Sequence, residues 1–141
     1  MLYATLRQFS ACGHALRMTP WRMVLSEGKR EMPSAAGLIT EPYDPALRVI
    51  ACSGAPRCRE AHADTRALAA ALAPRIAADV RLHVSGCGKG CAHSGTAAVT
   101  LIATHAGFDL VRDGSTRDEP VLRGLSGADI VSDPSILVGG N

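Results

Sequence analysis

The sequence predicts an α+β chain in two parts, divided near residue 45. Three observations carry that reading. The β-branched run Leu47–Ala51 and the stretch Leu82–Val84 read as strands, and each leads into a cysteine-bearing loop. Between them lies an alanine-rich stretch with Leu68, Leu72 and Ile76 at four-residue steps, the period of a helix face. Ahead of both, Glu41-Pro-Tyr-Asp-Pro45 places two prolines where neither a helix nor a central strand can run, and reads as a linker.

The elements follow in order. Leu2, Leu6 and Phe9 share one helix face, so 2–12 reads as a helix ended by Gly13. Leu16–Met18 and Trp21–Leu25 read as extended pieces around Thr19-Pro20, and Ser26–Pro33 as a charged loop. Ser34–Leu38 reads as a short helix. Past the linker come a buried strand over Leu47–Ala51 and a helix from roughly Glu60 to Ala78, kinked or divided at Pro74. After the Leu82–Val84 strand, Val99–Ala103 and Phe108–Val111 flank Thr104-His-Ala-Gly107 as a hairpin. Beyond Asp113 turn signals dominate. Ser126 is placed to cap one more short helix, stopped by Pro134 and Gly139-Gly140.

Length and composition bound the function. The 141 residues suit one domain, or one and a small piece. With 47% apolar and 20% charged residues the chain is of the folded, soluble type. A net charge of +2, from 15 basic and 13 acidic residues, argues against a strongly basic nucleic-acid binder. No window approaches the ~18 apolar residues of a membrane span. The first residues lack a basic start followed by an apolar run, so the cytoplasm is the expected compartment. Aromatic residues are only 4%, so the core must be thin and built from Ala, Leu, Val and Ile.

The chemistry sits in the cysteines. Cys12 stands alone and reads as a small buried apolar residue. The other four form two pairs, Cys52-x5-Cys58 and Cys87-x3-Cys91, each just after an expected strand. In a reducing compartment such pairs read as metal or redox sites before disulfides. Four thiolates aimed at one place suit a soft metal centre, zinc or iron–sulfur. Gly54, Gly86, Gly88 and Gly90 would let backbone N–H groups approach a bulky cluster, and Lys89 would offset its negative charge. Zinc more often takes shorter knuckles, so the spacing favours iron–sulfur. A disulfide arrangement ranks third. The remaining candidates have bland readings: His14, His62 and His105 as surface, His83 as packed or half-exposed, and Trp21 as core or interface.

Ala51-Cys-Ser-Gly-Ala-Pro-Arg-Cys58 followed by His83-Val-Ser-Gly-Cys-Gly-Lys-Gly-Cys-Ala-His-Ser94 resembles the C-terminal half of the sulfite/nitrite reductase superfamily. Leu16–Arg22, Asp64–Ala71, Gly90–His93 and Ala97–Leu101 narrow the resemblance to the precorrin-3B synthases of the aerobic cobalamin pathway. The resemblance implies that Cys52, Cys58, Cys87 and Cys91 ligate one 4Fe–4S cluster, with Cys91 at the position that bridges to sirohaem in the reductases. It implies an iron–sulfur oxidoreductase of monooxygenase type. Such an enzyme hydroxylates precorrin-3A and closes a lactone, with oxygen and electrons from an NADH-linked reductase. The substrate is then a carboxylate-rich tetrapyrrole. Arg17 and Arg22 are candidates to pair with its carboxylates, and His93 to contact it. No catalytic residue is singled out.

The implied fold is a partial ferredoxin-like half-domain over 1–45, followed over 46–141 by a nitrite/sulfite reductase-type 4Fe–4S domain with a small sheet and helices on one side. The resemblance covers roughly residues 1–125 and only the second of two pseudo-symmetric halves. The chain is therefore expected to be a fragment, or a half that works with a partner chain. Two alternatives stand. One is a sirohaem-dependent sulfite or nitrite reductase, although Ala98 stands where those enzymes carry an acidic residue. The other is a non-catalytic iron–sulfur or zinc-binding module.

Overall fold

The structure, a computed structural model, describes Arg7 and residues 15–20, 23–27 and 38–139. The helices expected over 2–12 and Ser34–Leu38 fall outside these residues except at Arg7 and at Leu38, which is not helical, and Cys12, His14, Trp21 and Arg22 fall outside them too. The chain divides into two compact units, Met1–Asp44 and Pro45–Asn141. In the first, strands β1 (Leu16–Met18) and β2 (Val24–Ser26) pair antiparallel, Leu16 opposite Ser26 and Met18 opposite Val24. The Thr19 hydroxyl closes the connection by donating to the Met23 carbonyl at 3.0 Å.

The second unit is built on one five-stranded mixed sheet in chain order: β3 (Val49–Ala51), β4 (Leu82–Ser85), β5 (Ala97–Thr104), β6 (Gly107–Gly114) and β7 (Leu122–Leu125). β3, β4 and β5 run parallel, while β6 and β7 run antiparallel to their neighbours. Parallel neighbours need a crossover, usually a helix. Between β3 and β4 that helix is α1 (Thr65–Leu72), continued by a 3-10 turn over Ala73–Arg75. Between β4 and β5 the crossover is the loop 86–96, which contains no helix.

Alternation along the strands sorts the side chains into two faces. Leu82 and Val84 of β4, Val99, Leu101 and Ala103 of β5, and Phe108 and Leu110 of β6 form one buried layer. Leu68, Leu72 and Ile76 cover it, together with Ile130 of α2 (Gly127–Ser132) and Leu137 of α3 (Ser135–Val138). The three helices described in this unit thus serve one face. On the other face Ile50, His83, Thr100 and Val111 stand in one row across four strands. His83, Thr100 and Val111 are buried there with no helix above them among the described residues. Instead, His93 of the crossover meets His83 edge-on, with ring centroids 5.6 Å apart.

Four expectations need correction. The first strand begins at Val49, because Pro45–Arg48 form a 3-10 turn, and as an edge strand it is half-buried rather than buried. The alanine-rich helix begins at Thr65 and ends at Leu72, because Asp64 caps it and Pro74 cannot continue it. Helix α3 follows α2 where a single helix is expected. Strand β7 is not foreseen at all. Its ladder with β6 is irregular between Phe108 and Leu110, where Asp109 accepts from the Gly124 N–H at 3.0 Å and pairs with Arg123 at 3.3 Å.

Candidate metal centre

β3 and β4 are parallel neighbours, so their C-terminal ends lie at the same edge of the sheet. That edge is where open α/β sheets place ligands. Cys52 directly follows β3, and its N–H continues the ladder to the Val84 carbonyl at 3.3 Å. Cys87 lies just past the end of β4, where the buried Ser85 hydroxyl donates to its carbonyl at 2.7 Å. Both cysteine loops therefore leave the same edge from adjacent strands.

Three contacts tie the loops together. The Gly86 N–H donates to Cys52 Sγ at 3.2 Å. The His62 N–H donates to the Gly86 carbonyl at 2.9 Å. Lys89 pairs with Glu60 at 3.1 Å. The approach at Gly86 admits no side chain. A Cβ there would stand 2.7 Å from the Ala61 Cβ and 3.3 Å from Cys52 Sγ. Within the first loop, which carries a cis Ala55–Pro56 bond, the Cys58 N–H donates to the Gly54 carbonyl at 2.8 Å. Gly54 itself has φ +62°, a conformation glycine takes without strain.

Cys52, Cys58, Cys87 and Cys91 are free thiols. Cys91 is exposed and the other three are half-buried. Among the described residues no group of three or more His, Cys, Asp or Glu side chains gathers at a point fit for a single metal ion. Ligation of an iron–sulfur cube sets a different requirement, one thiolate at each corner. A hydrogen bond to the Glu60 carboxylate and its charge raise the Lys89 ammonium above its usual range, and the Cys87 and Cys91 sulfurs pull the same way.

The other candidate residues are less closely gathered. His93 lies in the crossover, one ring nitrogen 3.1 Å from the Thr96 carbonyl oxygen. Arg17 is on β1 in the first unit, where its guanidinium pairs with Glu27. Arg22 lies outside the described residues. Thr65, Ser85 and the Glu60–Lys89 pair escape the sequence reading. Their one visible signal is the Asp64-Thr65 helix start, which places a hydroxyl next to a cap.

The chain is 27% identical over 132 residues to a precorrin-3B synthase from Sinorhizobium sp., an alignment covering 84% of this chain. That similarity supports a relation to the precorrin-3B synthases. The same alignment spans 29% of the Sinorhizobium protein's length. No protein-family model matches the chain. Among the described residues no helix is long and apolar enough to cross a membrane.

Proposed function

We propose that the second unit holds one 4Fe–4S cluster on Cys52, Cys58, Cys87 and Cys91, and that the chain is the cluster-bearing part of a precorrin-3B synthase-like oxidoreductase of cobalamin biosynthesis. The observation that carries this is the joining of the two cysteine loops at one sheet edge, where the Gly86 N–H reaches Cys52 Sγ at 3.2 Å. The residues suit the group. Four thiols form a soft donor set. A backbone N–H already addresses one of the sulfurs, and Lys89 supplies positive charge beside Cys87 and Cys91.

When bound, such a cluster supplies one-electron transfer at a potential tuned by charge and by hydrogen bonds to its sulfurs. The chain's own residues do the holding. The ladder bond from Cys52 fixes the first ligand to the sheet, and Ser85 fixes the backbone of the third. The Glu60–Lys89 pair spans the two loops. For the substrate class we take what the resemblance of the cysteine motifs implies, a carboxylate-rich tetrapyrrole hydroxylated and lactonised with oxygen and NADH-derived electrons, and the relative's name is in keeping with it. Because the alignment spans 29% of that relative, this reading assigns the chain the cluster-holding share of the activity.

The test is anaerobic purification. The wild-type chain should be brown and carry iron and acid-labile sulfide in equal amounts. Cys91→Ser puts a hard hydroxyl where a soft thiolate is required, so both contents should fall sharply. Unchanged iron and sulfide in that variant would overturn the ligand assignment. A colourless chain carrying stoichiometric zinc would favour the structural module instead, and a haem-type absorption would favour the sirohaem reductase.

A further inference from the structure

We propose that the Thr65 and Ser85 hydroxyls are positioning groups for the cluster, each clamping the carbonyl of the leading cysteine of one pair, Cys52 and Cys87. The inference rests on reading those cysteines as cluster ligands. It goes further by naming what fixes them before any cluster arrives.

Thr65 is fully buried at the first position of α1. Its hydroxyl donates to the Cys52 carbonyl at 2.9 Å, and the same oxygen lies 3.8 Å from Cys52 Sγ. One hydroxyl carries one proton, and the shorter contact takes it; toward the sulfur the Thr65 oxygen can only accept from a thiol S–H, which a ligating thiolate lacks, so its action on a ligand sulfur runs through the backbone. The space for this hydroxyl is cut to size. A Cβ on Gly54 would stand 2.5 Å from Thr65 Oγ1. Asp64 fixes the turn beneath it by accepting from the Arg66 and Ala67 N–H groups at 3.2 and 3.1 Å. Cys52 is thus held at three points: its N–H on Val84, its carbonyl on Thr65 and its sulfur on Gly86.

The second loop repeats the device. Ser85, 1% exposed, donates to the Cys87 carbonyl at 2.7 Å. Two buried hydroxyls on two elements, each spent on the carbonyl of a leading cysteine, set the ligand backbones ahead of assembly. Preorganised ligands hold a metal group more tightly, because less chain must be ordered when it binds.

The experiment challenges the anaerobically reconstituted chain with an excess of an iron chelator and follows loss of visible absorption. Thr65→Val and Ser85→Ala should each lose the cluster about threefold to tenfold faster than wild type, the worth of one such hydrogen bond. Thr65→Ser keeps the donor and should restore both the wild-type rate and the electron paramagnetic resonance line shape of the reduced cluster, which Thr65→Val should alter. If the valine chain does not fold, Thr65→Ala and Ser85→Ala carry the test. Loss rates and line shapes equal to wild type in the hydroxyl-less variants would overturn the inference while leaving the ligand set intact. So would a serine variant that behaves like the valine one. A wild-type chain that takes up neither iron nor sulfide would overturn the cluster reading itself, and this inference with it.

Discussion

His83 sits in the buried row on the sheet face opposite the described helices, and neither of its ring nitrogens has a hydrogen-bond partner. A polar group so placed costs stability even when neutral, and far more when charged. Burial, helped by the charge of neighbouring His93, lowers its pKa from 6.5 to about 4. Between those values the unfolded chain binds the proton and the folded chain refuses it. His83 therefore leaves stability intact above about pH 6.5 and erodes it as the pH falls toward 4, by about 3 kcal/mol in all. Thermal unfolding of the wild type should show that acid limb. His83→Leu should flatten it while keeping or raising the midpoint at neutral pH, since an apolar side chain replaces unpaired nitrogens. Equal acid slopes in the two chains would remove His83 from the account.

Helix α1 owes its start to one side chain. The Asp64 carboxylate accepts from two N–H groups of the first turn, which otherwise have no partner within the helix. Asp64→Ala should cost about 1 kcal/mol in urea unfolding, and Asp64→Asn almost nothing. A harmless alanine would mean that burial of Leu68 and Leu72 alone sets the helix boundary. The same cap shows why the sequence overstates this element. Alanine recurs on both sides of Asp64 from Ala61 to Ala73, and ties such as His62 to Gly86 help hold 59–64 as a loop. The hairpin is legible for the opposite reason: β5 and β6 are long, central and largely buried, with β-branched residues frequent in β5, so pattern and burial agree. β7 is hidden because it is an exposed edge with Gly124 at φ +68° and an irregular ladder, which leaves no alternation to read. At the candidate centre the cysteine pairs and glycines are visible in the sequence. The Thr65 and Ser85 clamps are not, because they depend on where α1 and β4 bring distant residues together.

At the scale of the whole chain, everything assigned to the candidate centre lies on one side of a single division. Both cysteine loops, the five strands and the buried layer from Leu68 to Leu137 belong to Pro45–Asn141, whereas β1, β2 and Arg17 belong to Met1–Asp44. A unit with its own core and its own sheet can fold alone. The core here is thin but continuous: Leu72, Leu82, Leu101, Leu110 and Ile130 are fully buried and packed in one cluster. Each such side chain contributes roughly 1.5–3 kcal/mol of burial energy. Residues 45–141 expressed alone should therefore unfold in one cooperative transition and take up iron and sulfide at the level of the full chain. Arg17→Ala in the full chain should leave that uptake unchanged, because Arg17 pairs with Glu27 inside its own unit. A shortened chain that loses cooperativity, or folds yet binds markedly less iron, would show that the first unit completes the centre. The role of Met1–Asp44 would then have to be sought in holding the cluster rather than in meeting a substrate.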